Sequence, residues 1–86
     1  MQYKISRHAR EELVRRRIAL AVLDDILQQP QQVLPQGNDK KVYQSQVVME
    51  AGEIFLVRVI VSENTDPPTV VTVYRTKKIK KYWRMT

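Results

Sequence analysis

Cationic and aromatic side chains alternate near the C-terminal end of this 86-residue sequence. Six of the ten residues from Arg75 to Arg84 are basic, and Tyr74, Tyr82 and Trp83 lie beside or among them. Positive charge attracts phosphate and aromatic rings stack on nucleobases, so this composition is typical of a nucleic-acid-binding surface. The candidate contacts are Lys77, Lys78, Lys80, Lys81 and Arg84, together with Arg7 near the N-terminus.

Three further side chains can take part in chemistry on a phosphodiester. His8 is the only histidine, and histidine is the residue type that titrates near neutral pH, although a surface or capping role is the alternative. Arg58 is the one charge in the apolar run from Ile54 to Val61. It is either a fixed guanidinium that grips phosphate, or a snorkelling side chain, or a partner of Glu50. Tyr74 can stack on a base or donate a proton, or it can be a half-buried sheet tyrosine.

Charge is distributed unevenly along the chain, whose net charge is +6. Residues 4–17 carry six basic and two acidic side chains, and residues 18–74 carry three and seven. Residues 75–86 carry six basic side chains and no acidic ones. If the fold brings the two ends together, they form one concentrated positive surface.

Length and composition restrict the class of protein. A chain of 86 residues suits one domain, which we expect to span residues 1–86. The absence of cysteine excludes disulfides and thiolate metal sites, and with one histidine and scattered acidic residues we expect no dedicated metal site. No apolar run is long enough to span a bilayer, so we expect a soluble, cytoplasmic protein with no membrane partner.

Hydrophobic periodicity predicts helices in the first third of the chain. Residues 2–5 can form a short strand, after which Ser6 is a candidate N-cap for a first helix. Apolar residues from Ile18 to Leu27 repeat at helical spacing, and Pro30 ends this second helix. The two helices are expected to form a hairpin with a very short joint.

The remaining chain has the period of strands. Thr72 and Tyr74 share one face of the last predicted strand, and Arg75 lies on the other. Tight connections, including Ala51-Gly52, predict an α+β fold in which the helical hairpin packs on a three- to four-stranded antiparallel sheet, followed by a short basic C-terminal helix. The predicted strands cover residues 31–34, 41–50, 53–62 and 69–75, and the last helix begins at Lys77.

Short motifs along the chain resemble a family of short prokaryotic domains of unknown function. They are Ser6-Arg7-His8-Ala9 at the start of a helix, Arg-Arg-Arg-Ile-Ala-Leu over residues 15–20, Gln-Gln-Pro over 28–30, and Thr-Val-Tyr over 72–74. Arg17 stands where that family has glycine. The family in turn resembles the RelE/ParE toxin superfamily, whose fold is a helical hairpin packed on a curved antiparallel sheet.

This resemblance implies a basic toxin paired with an acidic antitoxin. RelE-like members cut messenger RNA, often on the ribosome, without a metal or cofactor. By position, Arg58, Tyr74, Arg75 and Lys77/Lys78 correspond to the superfamily's catalytic residues, and His8 matches the narrower family's motif. Cleavage through a 2′-hydroxyl needs a base, a proton donor and cations around the phosphate. His8 or Tyr74 would then move protons, while Arg58 and Arg75 would hold the scissile phosphate.

Two other functions fit the same residues. One is a binder without chemistry, either a ParE-type inhibitor or a nucleic-acid module. The other is an interaction domain whose exposed strand edge and basic tail receive an acidic partner. A symmetric homodimer along the edge strand is the alternative to an antitoxin.

Overall fold

A computed structural model describes residues 1–85 as an α+β fold with three α-helices and a five-stranded mixed sheet. Within this part of the chain, no helix has the length and hydrophobicity needed to cross a membrane. A 3-10 turn at Glu50–Gly52 joins the third and fourth strands. The elements in chain order are β1 (Lys4–Ile5), α1 (Arg7–Arg15), α2 (Leu20–Gln28), β2 (Gln32–Gln36), β3 (Lys40–Val48), β4 (Ile54–Ser62), β5 (Thr69–Thr76) and α3 (Ile79–Tyr82).

The sheet has the strand order β1-β5-β4-β3-β2, and all its pairings are antiparallel except that of β1 with β5. The predicted antiparallel sheet of three to four strands is therefore too small, because Lys4 and Ile5 pair with Thr69 and Val70 as a short parallel strand. The prediction also ended β2 before Pro35, whereas β2 continues to Gln36. Proline is tolerated there because β2 is an edge strand, where a missing N–H breaks no ladder.

The helical hairpin packs on one face of the sheet, which we call the first face. Its core is apolar, and burying these side chains is the main source of stability for the fold. The buried core residues are Ala9, Leu13, Ile18, Leu23, Ile26 and Leu27 from the hairpin, with Val57, Val59, Val61, Val70 and Val73 from β4 and β5.

Both ends of α1 are capped. Ser6 is the N-cap as predicted, and its hydroxyl oxygen accepts a hydrogen bond from the backbone N–H of Ala9 at 3.0 Å. At the other end Arg17 has φ 55°, the left-handed conformation that glycine usually supplies. The N–H of Ile18 donates to the carbonyl of Leu13 at 2.9 Å, which closes the helix and brings both side chains into the core.

The opposite surface of the sheet, the second face, is also largely covered. Val42, Gln44, Leu56 and Ile60 lie on it and are all buried. We define the C-terminal segment as residues 77–85, and its half-buried residues Ile79, Tyr82 and Trp83 alternate with exposed cations. A basic segment with an apolar side therefore lies against a face that antiparallel sheets often leave in water.

Candidate nucleic-acid site on the second sheet face

Arg58 and Tyr74 form the centre of the candidate site. They are paired across β4 and β5, and both side chains lie on the second face of the sheet. Arg58 Nη1 donates to the Tyr74 hydroxyl oxygen at 2.6 Å, and Nε donates to the amide oxygen of Gln44 at 2.8 Å. The Arg58 guanidinium carbon also lies 4.4 Å from the ring centroid of Tyr82. Arg58 is thus a fixed guanidinium, neither a snorkelling side chain nor a partner of Glu50.

The ring of Tyr74 is where the N-terminal and C-terminal basic regions meet. The guanidinium carbon of Arg16, the C-cap residue that follows α1, lies 5.9 Å from its centroid. Tyr82 from α3 approaches the same ring edge-on, with centroids 6.2 Å apart. Arg58 lies 5.8 Å from the Tyr74 centroid. Two guanidinium groups and one other aromatic ring, from three other parts of the chain, therefore lie around the ring of Tyr74.

His8 lies beside this cluster. Its Nε2 is 3.2 Å from the hydroxyl oxygen of Thr72, and the histidine is exposed. Thr72 and Tyr74 are two residues apart on β5, so their Cα atoms are separated by about 7 Å on one face. The exposed imidazole of His8 therefore contacts the residue two positions before Tyr74 on β5, and Arg58 lies opposite Tyr74 on β4.

Arg75 is not part of this cluster. Arg75 pairs with Val57, which is a core residue of the first face, so the side chain of Arg75 also lies on the first face. Its Nη1 contacts the Glu50 carboxylate at 2.6 Å, and its guanidinium carbon lies 4.7 Å from the Phe55 ring centroid. The expectation that Arg58 and Arg75 hold one phosphate between them does not fit, because neighbouring positions on paired strands point to opposite faces.

The predicted nucleic-acid contacts differ in how freely they are presented. Lys77 lies 2.6 Å from the Glu53 carboxylate, and Arg7 lies 3.4 Å from that of Glu11, so both charges are partly neutralised. Lys81 lies 5.2 Å above the Tyr82 ring. Of the predicted contacts, Lys78, Lys80, Lys81 and Arg84 are exposed and form no ion pair within residues 1–85.

A buried carboxylate fixes Arg16 beside Tyr74. Glu12 accepts from Arg15 at 2.7 Å and from Arg16 Nε at 2.9 Å. These hydrogen bonds from Arg15 and Arg16 lower the pKa of Glu12 to about 2. Near Tyr74, the adjacent Lys81 ammonium lowers the pKa of the Tyr82 phenol, and Tyr74 and Arg58 add to that effect while partial burial opposes it.

Residues 5–75 match the family DUF4258, a domain of unknown function. The chain belongs to the DUF4258 family. The chain matches no curated protein and no solved structure. The matched region includes His8, Arg58 and Tyr74 and ends at Arg75, so α3 and Tyr82 lie beyond it.

The DUF4258 fold also brings in two glutamines that were not among the predicted site residues. Gln44 is fully buried, and its amide nitrogen donates to the amide oxygen of Gln32 at 2.8 Å and to the carbonyl of Tyr82 at 3.2 Å. Gln32 in turn donates to the Arg84 carbonyl at 2.7 Å and accepts from the Arg84 N–H at 3.1 Å. These two amides, the glutamine clasp, fasten the C-terminal segment to the sheet. The available signal was a glutamine at an inward position of an alternating strand, where an apolar residue is expected.

Within residues 1–85, histidine and carboxylate side chains form no cluster of three or more that could hold a metal ion. The cations nearest the Tyr74 ring are the guanidinium groups of Arg16 and Arg58, and guanidinium is a group that can bind phosphate through charge and paired hydrogen bonds.

Proposed function

We propose that this protein is an endoribonuclease that cleaves messenger RNA without a metal, acting as the toxin of a toxin–antitoxin pair. The observation that carries the proposal is the contact of Arg58 with the hydroxyl of Tyr74 at 2.6 Å, two residues along β5 from Thr72, whose hydroxyl oxygen lies 3.2 Å from Nε2 of the exposed His8. The packing of a helical hairpin on antiparallel strands supports the resemblance to RelE/ParE toxins.

The proposed reaction is an in-line transesterification of the RNA backbone. His8 accepts the proton of the 2′-hydroxyl as its oxygen attacks the adjacent phosphorus. The bond from phosphorus to the 5′-oxygen breaks, and Tyr74 gives its proton to that leaving oxygen. The products are a 2′,3′-cyclic phosphate and a free 5′-hydroxyl. His8 then releases its proton to water, and the Tyr74 phenolate takes a proton from water, which restores both groups.

Arg58 has two roles in this scheme. Its guanidinium stabilises the negative charge left on the Tyr74 oxygen after proton donation, because Nη1 already contacts that atom. With Arg16 on the other side of the ring, it also supplies positive charge next to the phosphate. Arg75 has no place in this scheme, because its guanidinium is paired with Glu50 on the first face.

Expression in a bacterium with transcript analysis tests the proposal. We expect growth arrest and broken transcripts from the wild-type chain, and loss of both from His8→Ala and Tyr74→Phe. Purified protein should cut RNA in the presence of EDTA. Intact naked RNA and intact translated messenger, with folded protein free of any partner, would overturn the proposed activity.

The second candidate is a non-catalytic binder of the same fold, such as a ParE-type inhibitor. This function is favoured because Arg58 already donates hydrogen bonds to Gln44 and Tyr74 through Nε and Nη1, which leaves fewer donors for a phosphate. Growth arrest that survives His8→Ala, without transcript breakage, would select this function, since adhesion by charge and stacking needs no imidazole.

An acidic antitoxin is the partner we propose in either case. Val14 is 81% exposed and Leu20 is 53% exposed, and both line a cavity of about 270 Å³ with Arg10. Apolar side chains next to an arginine fit a partner segment that is both apolar and acidic. Co-purification of the chain with a co-expressed acidic protein, and rescue of growth by that protein, tests this partner against a homodimer.

A further inference from the structure

A cavity of about 440 Å³ lies between β3 and the C-terminal segment, and the proposed reaction does not use it. It combines one aromatic ring, one amide, one ammonium group and apolar walls. The residues that line it are Gln46, Ile79, Lys80, Trp83 and Met85.

Trp83 is held from both sides. The backbone N–H of Trp83 donates to the backbone carbonyl of Ile79 at 2.8 Å. The preceding residue, Tyr82, is tied through its carbonyl to Gln44, and the following residue, Arg84, is tied through both backbone groups to Gln32. The glutamine clasp therefore fixes the backbone that carries the indole, which lowers the entropic cost of stacking a ligand on it.

Gln46 relates this cavity to the reactive centre. It lies on the second face two residues after Gln44, whose amide oxygen accepts from Arg58. The two glutamine positions are therefore about 7 Å apart along β3. The side-chain amide of Gln46 makes no hydrogen bond within the described residues, so its donor and its acceptor are both available to a ligand.

We propose that this cavity binds one unpaired nucleobase of a single-stranded RNA. The base stacks on Trp83, Gln46 hydrogen-bonds to its edge, and Lys80 meets the attached phosphate. The surrounding charge favours a polyanion, because Lys78, Lys80, Lys81 and Arg84 are exposed in the same segment. This inference deepens the proposed function, since the bound base would be one next to the phosphate held at Arg58 and Tyr74.

Trp83 is the only tryptophan in the chain, so its fluorescence reports on this cavity in the unmodified protein. The probe is a short single-stranded RNA with 2′-O-methyl riboses, which cannot be cleaved through the 2′-oxygen. The matched control is an abasic chain of the same length and charge. We expect saturable quenching by the first and little change with the second. Equal quenching by both would overturn the proposal.

A pair of substitutions separates stacking from packing. Trp83→Phe keeps an aromatic ring, whereas Trp83→Leu keeps only an apolar side chain. By anisotropy of a labelled oligonucleotide, we expect Trp83→Phe to bind nearly as well as the wild type and Trp83→Leu to bind about tenfold more weakly. Gln46→Leu should weaken binding of the oligonucleotide but not of the abasic chain. Equal affinities for Trp83→Phe and Trp83→Leu would contradict the proposal.

These measurements use an uncleavable ligand, so their outcome is independent of catalysis. Base-dependent quenching without any cleavage of natural RNA would keep the nucleobase site and reject the nuclease. Cleavage of natural RNA at an unchanged rate in Trp83→Leu and Gln46→Leu would keep the nuclease and reject the nucleobase site.

Discussion

Arg58 and Tyr74 occupy paired positions on β4 and β5, and the guanidinium of the first donates to the hydroxyl of the second at 2.6 Å. Gln44 and the ring of Tyr82 complete the surroundings of the same guanidinium. The cost of placing a cation in an apolar strand is thus offset by a hydrogen bond on each side and an aromatic face above. Arg58 therefore links the sheet to the C-terminal segment as well as serving as the candidate catalytic cation.

Tyr74→Phe tests the proposed proton donor. We expect RNA cleavage to fall about 100-fold or more, because a positioned general acid contributes about that much. The unfolding free energy should fall by only about 1 kcal/mol, from one lost hydrogen bond. Tyr43→Phe is the matched control, since Tyr43 packs against the first-face core. Unchanged cleavage in Tyr74→Phe would remove the phenol from the mechanism.

Arg75→Gln tests whether the two strand arginines have different roles. Because Arg75 contacts Glu50 on the first face, we expect a loss of about 1 kcal/mol of stability and nearly unchanged cleavage. Glu50→Gln should lose a similar amount of stability, with the unfolding free energy of both variants measured by urea titration. If folded Arg75→Gln protein lost cleavage altogether, Arg75 would belong to the reactive centre after all.

Arg17 offers a test of backbone strain at the end of α1. Arg17→Gly and Arg17→Ala both remove the charge, but only glycine relieves the left-handed conformation at φ 55°. We expect the glycine variant to be more stable than the alanine variant by about 1 kcal/mol, measured by denaturant unfolding. Equal stabilities would mean that the turn adapts without strain.

Glu12 should make the fold sensitive to acid. Its pKa is about 2 in the folded protein and 4.5 in the absence of its partners, so the ionised form stabilises the fold above that range. This contribution is lost as the pH falls from 4.5 towards 2. Glu12→Gln should therefore be less stable than the wild type at neutral pH, and the difference should close at low pH. Thermal unfolding across this range measures it, and a difference that stays constant would show that Arg15 and Arg16 do not act through the charge of Glu12.

Salt dependence tests which cations meet phosphate. Lys80→Gln with Lys81→Gln should reduce the slope of log affinity against log salt by about 1.4 for single-stranded RNA. The control is Lys40→Gln with Lys41→Gln, whose lysines are paired with Asp39 and Glu63 at the other end of β3. An equal reduction in both double variants would mean that RNA contacts are not concentrated in the C-terminal segment.

Local chemistry made most of the elements predictable. Ser6 and Pro30 mark helix ends, and Ala51-Gly52, with φ of 57° and 72°, forms the predicted turn. The pairing of β1 was not readable, because a two-residue strand is defined only by its distant partner. The register of β4 against β5 was hidden by a bulge on β5. Ile60 pairs with Thr72 and Val61 with Val70, so Val71 is the extra residue, in a β-branched run without period.

The candidate site was predictable only in part, because some of its residues are defined by distant contacts rather than by local sequence. Arg58, Tyr74 and His8 stood out by residue type, and the fold places them near one another. Arg16 and Gln44 were not predicted as site residues, because Arg16 shares one helix stripe with Ala9 and Leu13, and the structural interpretation was favoured for Gln44. Their roles depend on contacts between residues far apart in the chain, such as those of the glutamine clasp.

Pro35 governs how copies of this chain can associate at high concentration. It lies in β2, the outermost strand on that side of the sheet, and it has no N–H to offer a neighbouring strand. A second sheet that docked there would meet a gap in its hydrogen-bond ladder. We therefore expect the β2 edge to resist pairing with further copies of the chain into strand-to-strand fibres.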